Sequence, residues 1–513
     1  MEEYKGFLTQ NGFIVPIKTL KLRFKNSYPK LLEKLTIVHS QKIGPPKIAK
    51  LYKIAEYNGI KCMHLPRTMI KSLVKGKILT TVDVILPKIR LINANLYTDL
   101  YNNQNLIIDY LCKNVFTVER INNGTATAIL NLRAGMGKTF VAAGLIDRLK
   151  VRTLYVVPKR PLMLQGVKDL RSCLYPDIGD SNIIIGQYGA IKKRDKSTNV
   201  ALQDITVIVI NSAVERNAEF FASYSLIILD EVHSYCSEQR REIFRKASSR
   251  LCLGMSATTE DRNDGFDPIA HKELAMDGII RAESIPGFTY EDIKFNCNAK
   301  IINYSGPSEH TLNLSHETTG VIFTPYMHKQ FMRDPFRLKM AVDELIKLYD
   351  WRGLLGEQHS IYIFAEEIKL LNIMLTTLNM ELTIRNRQDI KIFAPEVGQT
   401  GIEMFTGGLK DEQVTKISTT GRVLCSTYGY AGTGISISKM SCIMFLTPRR
   451  ANMKQIIARI LRRGSDMNIP RIVVDIVDTK TCLRYQLGSR VIAYEHYGFE
   501  IDVVKVKYTD INL

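Results

Sequence analysis

Between about residues 125 and 260 the chain alternates short β-rich apolar runs with helical stretches. The runs are TAILNL, RTLYVVP, ITVIVIN, SLIILDE and LCLGMSAT. This βαβ rhythm leaves few architectures open, because a parallel strand needs a helical crossover to bring the chain back. Within it, Leu226 to Leu229 form a continuous apolar run without helical spacing. Such a run suits a strand covered on both faces. A second series follows: SIYIFA, DIKIFAP, GRVLCST, SCIMFLTP and RIVVDIV. An α/β fold with two parallel-sheet domains in tandem is expected, with ligand-binding residues gathered where strands end.

The chain of 513 residues is too long for one ordinary core. The expected divisions are a basic accessory domain at 1–94, a first parallel-sheet domain at 95–284 and an irregular connector with an insertion at 285–330. A second parallel-sheet domain at 331–480 and a C-terminal extension at 481–513 complete the chain. DPFRLKMAVDELIKLYD reads as the helix that opens the second series, with Asp334 as N-cap and Pro335 at N1. IDVVKVKY, near the C-terminus, alternates like a late strand.

Charge is unevenly spread. Residues 1–90 hold 18 Lys and Arg against 5 Asp and Glu, so this sixth of the chain carries +13 of the net +19. Its basic residues alternate with Tyr, Phe, Ile and Leu, which a disordered basic tail does not do. A small folded domain with one cationic face is expected, suited to a polyanionic partner. No apolar run approaches the ~20 residues of a membrane helix. The acids in MEEYKGFLTQNG do not match a secretory leader. Nine cysteines are scattered without CxxC pairs, which reads as reduced thiols rather than a metal or disulfide framework.

AILNLRAGMGKTF joins a buried-strand pattern to a Gly-rich loop and a helix start. Gly135, Met136 and Gly137 form a loop whose backbone N–H groups curl round phosphate oxygens. Lys138 is expected at the β/γ-phosphates and Thr139 at Mg²⁺. Leu132 stands where such loops usually open with Gly or Ala. A phosphate loop of this kind needs acids at the end of a neighbouring strand. One holds the metal and another orients the attacking water. Asp230 and Glu231, directly after the run 226–229, fit those two roles.

AGMGKT, DEVH and SAT (Ser256, Ala257, Thr258), in that order, resemble superfamily 2 helicases and translocases. LYVVPKRPLMLQ, with Pro158, resembles motif Ia of that family, and IVINSAV motif Ib; both line the strand-tracking surface there. LYNNQNLIIDYL resembles the adenine-recognising Q motif, with Gln104 as the reading side chain. His233 is expected to couple nucleotide state to the second lobe. IYIFAEEI resembles motif IV, and FTGGLK, with Gly407, motif IVa. STYGYAGTGIS, with Thr427, Gly432 and Gly434, resembles motif V. It has Ser436 where an Asp is common. QIIARILRRGSD resembles motif VI, matching at Gln455, Arg459 and Arg462 and carrying Ala458 where Gly is usual.

A closer resemblance is to helicases of nucleocytoplasmic large DNA viruses, of the African swine fever virus and poxvirus type, over about residues 95–480. It implies two RecA-like lobes that bind ATP·Mg²⁺ in a cleft, with Arg462 as an arginine finger and Arg459 beside it. It also implies backbone contact with DNA or RNA and work in the infected host cytoplasm, with packaging in the virion as a further option. Viral RNA polymerase or transcription factors are expected partners of a monomer that needs no membrane. Three readings stay open: a strand-separating helicase, a translocase that releases transcripts without unwinding, and a nucleic-acid-binding protein whose ATPase has decayed.

Overall fold

The computed structural model describes residues 4–40, 45–133, 135–189, 203–258, 265–290, 295–313, 315, 320, 324–392, 401–431, 437–462 and 465–513. The chain divides into two compact units, Met1–Glu291 and Asp292–Leu513. All nine cysteines are free thiols. Among the described residues no helix is long and apolar enough to cross a membrane.

The first unit begins with strands β1 (Lys5–Thr9), β2 (Gly12–Pro16), β3 (Thr36–His39), β4 (Lys47–Lys50), β5 (Lys53–Tyr57), β6 (Ile60–Leu65) and β7 (Thr81–Val84). Five of them form a sheet in the order β5-β6-β2-β1-β7, and β3 pairs with β4 as a separate antiparallel ribbon. This N-terminal region is not an independent bead. Leu8, Phe13, Val15, Leu65 and Ile70 share one buried cluster with Ile227, Leu229, Phe221, Phe244 and Leu274. Arg67 fixes the join. Its buried guanidinium donates to the carbonyls of Gly124 (2.9 Å), Ser249 (2.6 Å) and Arg250 (3.3 Å). The division expected at residue 94 therefore separates two sheets but not two cores.

The rest of the unit is a seven-stranded parallel sheet. Its strands are β8 (Thr127–Asn131), β9 (Thr153–Val157), β10 (Ile185–Tyr188), β11 (Ile205–Val209), β12 (Leu226–Asp230), β13 (Leu251–Ser256) and β14 (Ile279–Arg281). Their order is β10-β11-β9-β12-β13-β8-β14. Along β12, Leu226 and Ile228 face one buried cluster while Ile227 and Leu229 face the other. Burial on both sides is what removed polar alternation from this stretch of sequence.

The second unit holds another seven-stranded parallel sheet. It comprises β15 (Cys297–Ser305), β16 (Ile361–Ala365), β17 (Gly401–Met404), β18 (Gly421–Thr427), β19 (Cys442–Phe445), β20 (Arg471–Asp478) and β21 (Glu500–Lys507). The order is β17-β18-β16-β19-β20-β15-β21. Two strands come from segments expected to lie outside this domain. β15, from the presumed connector, pairs with β20 over Cys297–Tyr304, and β21, the late strand, pairs with β15. Polar residues at Asn298, Lys300 and Asn303 hid β15, because they break its apolar pattern. DIKIFAP forms no strand over its described part beyond one bridge, Ile392 to Ile402; residues 393–395 lie outside the described residues. Asp334 caps the helix Pro335–Asp350 as expected, accepting from Arg337 N at 3.1 Å.

Substituting Arg67→Ala leaves three carbonyls at the join without their donor. We expect a loss of about 3 kcal/mol in urea-unfolding stability. A variant as stable as the parent would show that this guanidinium does not hold the region in place.

Candidate nucleotide and nucleic-acid site

The strand ends of the first unit bring most of the expected nucleotide residues together. β8 leads into a turn in which Gly135 (φ 86°) and Gly137 (φ 75°) take left-handed conformations. Those angles favour glycine. The helix Lys138–Leu149 then starts at once, so its unsatisfied N–H groups face the loop. Lys138 Nζ lies 2.8 Å from Glu231 Oε1, in a partly buried ion pair. Asp230, at the end of β12, is 6% exposed and accepts from Glu231 N at 3.0 Å. Glu231 itself has φ 50° and ψ 47°, a left-handed backbone that non-glycine residues seldom adopt. Strain of that kind persists where the surroundings over-determine a residue, and it gathers at functional sites.

Burial pushes the Asp230 carboxyl up to about 7, and the charge of Glu231 adds to the rise; Lys138 opposes it. A cation brought to this carboxylate relieves the same penalty. His233 links the acids to the next strand. Its Nδ1 stands 2.7 Å from Ser256 Oγ and 3.5 Å from Glu231 Oε2. Ser256 Oγ also donates to the Thr258 carbonyl (2.6 Å) and accepts from Thr258 N (3.1 Å). A chain of polar contacts thus runs from Lys138 through Glu231 and His233 to Ser256 and Thr258. Pro158 follows the end of β9 and is half-buried.

Gln104 sits differently from a free base-reading amide. Its Oε1 accepts from Tyr101 N (3.0 Å) and its Nε2 donates to the Met136 carbonyl (3.2 Å). A Cβ on residue 137 would come within 2.5 Å of that Nε2, so Gly137 is what lets the amide approach the loop. Both ends of the amide hold backbone, one of them in the Gly-rich loop.

Two neighbours escaped the sequence reading. Arg133, just before the loop, stacks over the Tyr290 ring at 3.8 Å. Tyr155, wholly buried on β9, has Asp230 and Thr139 beside its phenol. A tyrosine inside an otherwise aliphatic run was the available signal for the second.

In the second unit, the motif VI segment is only partly helical: Met453–Ile457 form one short helix, and Arg459 and Arg462 follow it. Gln455 and Arg459 are buried, and both arginines lie near the buried Tyr362 of β16. Thr427 ends β18, and its carbonyl accepts from Tyr430 N at 3.1 Å. The Tyr430 ring meets Phe405 edge-on at 5.3 Å and touches the Cβ position of Gly407 at 4.0 Å. The motif IVa and motif V segments are therefore neighbours. Gly432, Gly434 and Ser436 lie outside the described residues.

A Gly-rich loop after β8, an acid pair at the end of β12, with β13 rather than β12 next to β8, and a second sheet of the same strand order fit a two-lobed P-loop ATPase of the superfamily 2 type. Comparison with known proteins agrees. The family model "Type III restriction enzyme, res subunit" matches residues 98–261. A protein of African swine fever virus strain Badajoz named "Putative ATP-dependent RNA helicase QP509L" is 29% identical over 506 residues, covering 97% of this chain and 92% of that protein. Its counterpart in a Kenyan pig isolate is 32% identical over 386 residues, covering 74% and 70%. The solved structure of Mss116p bound to ssRNA and AMP-PNP matches with a TM-score of 0.50 at 14% identity, covering 80% of this chain and 77% of that one; it shows the fold alone. The chain belongs to the family of the African swine fever virus ATP-dependent helicases of superfamily 2, enzymes that hydrolyse ATP and bind nucleic acid.

Gln104→Ala distinguishes a strut from a base reader. We expect weaker binding of ATP and GTP by similar factors, measured with fluorescent nucleotides. A selective loss of ATP affinity would establish the adenine-reading role.

Proposed function

We propose that the Gly135–Thr139 loop holds the triphosphate of ATP, and that hydrolysis there drives movement along a nucleic-acid backbone and separates strands. The observation that carries this reading is the 2.8 Å contact between Lys138 and Glu231, beside Asp230. A lysine held by a carboxylate exchanges it for phosphate oxygens when nucleotide binds. Glu231 is then freed to orient the attacking water. Thr139 and Asp230 offer hard oxygen donors, the set Mg²⁺ takes when substrate phosphates complete its shell. Among the described residues no cluster of three or more His, Cys, Asp and Glu forms a cage of its own, which fits a cation that arrives with nucleotide. Held by Thr139 and Asp230, Mg²⁺ would supply charge neutralisation to the phosphates.

In this proposal Arg462 neutralises charge growing on the γ-phosphate, supported by Arg459 and Gln455. Gly434 contributes backbone near the nucleotide. His233, Ser256 and Thr258 pass the nucleotide state to the strand-gripping residues Pro158, Thr427 and Gly407. Contacts of that type follow phosphates and not bases, so sequence preference is low and salt sensitivity high. The name of the African swine fever relatives supports RNA as one of the strands handled. Transcription intermediates in the host cytoplasm, reached as a monomer alongside viral RNA polymerase or transcription factors, are the proposed setting.

The test is ATPase activity across single-stranded and duplex DNA and RNA, with unwinding of tailed duplexes. Lys138→Ala, Glu231→Gln and Arg462→Ala should each lower stimulated turnover at least ~100-fold, with Glu231→Gln still binding ATP. Turnover without unwinding of any duplex would instead establish a translocase. Full activity in Glu231→Gln would end the assignment of that carboxylate.

The N-terminal region is proposed to hold duplex or the displaced strand. Lys18, Lys21, Arg23, Lys25, Lys30 and Lys34 are all exposed on helices Ile17–Phe24 and Tyr28–Lys34 and the short segment between them. Deleting the region would open the shared core, so charge reversal is the cleaner experiment. Lys21→Glu, Arg23→Glu, Lys30→Glu and Lys34→Glu together should reduce the salt slope of binding by about 3 and leave basal ATPase unchanged. An unaltered slope argues that nucleic acid does not touch these helices.

A further inference from the structure

Tyr155 lies beside the acid pair and has no part in the mechanism above. β9 lies next to β12, with Tyr155 directly opposite Ile228. Side chains two apart on a strand share a face, so Asp230 is the diagonal neighbour of Tyr155, within reach of a long aromatic side chain. The ring is 1% exposed and belongs to the same buried cluster as Ile228 and Val141, the latter on the helix that carries Thr139. On its other side it approaches the Cβ position of Gly166 at 4.0 Å, so the helix Arg160–Leu174 presents no side chain to displace it. The phenol oxygen is buried, and its polar neighbours are the Thr139 hydroxyl and the Asp230 carboxylate. Buried hydroxyls almost always find a partner, and these two oxygens are the ones within reach of this phenol.

We propose that Tyr155 is a positioning residue for the metal–nucleotide site. Its O–H donates to the Asp230 carboxylate and so holds Asp230 and Thr139 in the arrangement a cation would require. Groups of this kind fix the ligands that touch a metal, and their loss weakens metal affinity without removing a ligand. A phenylalanine fills the same space in the core and lacks only the hydroxyl, so packing alone does not account for tyrosine here. The inference rests on Thr139 and Asp230 being the residues that meet Mg²⁺.

The experiment measures binding of a fluorescent ATP analogue to the full chain, in EDTA and across a Mg²⁺ titration, together with ATPase and thermal melting. Tyr155→Phe should raise the Mg²⁺ concentration for half-maximal tightening about 10-fold. Binding in EDTA, the melting temperature and kcat at saturating Mg²⁺ should stay near the parent. Tyr155→Met, which also lacks a hydroxyl, should show the same shift. An unchanged Mg²⁺ titration in either variant overturns the proposal, as does an equal loss of affinity with and without Mg²⁺. Asp230→Asn in the same assay separates the two layers. If it leaves the Mg²⁺ response intact, the metal assignment itself fails; if it abolishes the response while Tyr155→Phe does not change it, only the role of Tyr155 falls.

Discussion

A carboxylate at the end of a strand buried on both faces is expensive, and the first unit is arranged around that cost. Asp230 is almost wholly removed from water, and its neighbour Glu231 carries a second acid into the same space. Neither charge is stable there without a cation. Lys138 supplies one, 2.8 Å from Glu231. The lysine can do so because Gly135 and Gly137 turn the chain tightly enough to start a helix at that point. The Glu231 backbone accepts a left-handed conformation to reach it. Loop, helix, strand end and strained residue thus answer one electrostatic demand. A ligand that brings its own negative charge together with a metal alters every part of it.

That demand explains why the link from the acids to β13 is polar. His233 and Ser256 meet at 2.7 Å, and Ser256 is bound in turn to both ends of Thr258. A shift of Glu231 toward water, away from Lys138, removes one neighbour of His233 and changes the bond that positions the segment after β13. Rigid strands on either side leave these few side chains as the part free to respond. Within the first unit, named contacts therefore connect the acid pair to the segment that follows β13.

Much of this was legible in the sequence because parallel sheets buried on both faces write themselves as continuous apolar runs. Leu226 to Leu229 and Ile361 to Ala365 could hardly be anything else. The phosphate loop and acid pair were legible for a related reason: chemistry at strand ends restricts residue type and spacing together. The failures are equally physical. β15 carries Asn298, Lys300 and Asn303 and lost its apolar signature, although it lies between β20 and β21. β14 is three residues long, too short to show a period. The fusion of residues 1–94 to the first lobe depends on Arg67 finding carbonyls 57 to 183 positions away, which no local pattern records. The backbone partners of Gln104 were likewise not legible, since an amide offers the same groups to a base edge and to a backbone.

The second unit shows why the C-terminal residues belong to the machine and do not trail from it. β21 lies at the sheet edge against β15, and its Glu500, Asp502, Lys505 and Lys507 give that edge the charged character that discourages further pairing. The helix Leu487–His496 sends Arg490 into the core, where it meets Asp475 of β20 at 2.7 Å, and Tyr494 donates to the same oxygen at 2.8 Å. A buried ion pair adds little net stability compared with apolar packing, yet removing one partner strands the other charge in the interior. Asp475 pairs across to Ile301 on one side and Phe445 on the other, in the middle of the sheet whose strand ends carry Thr427 and lead to Arg459 and Arg462. The geometry of those residues therefore depends on a side chain beyond residue 480, and a boundary drawn at that point would cut through the core that holds them.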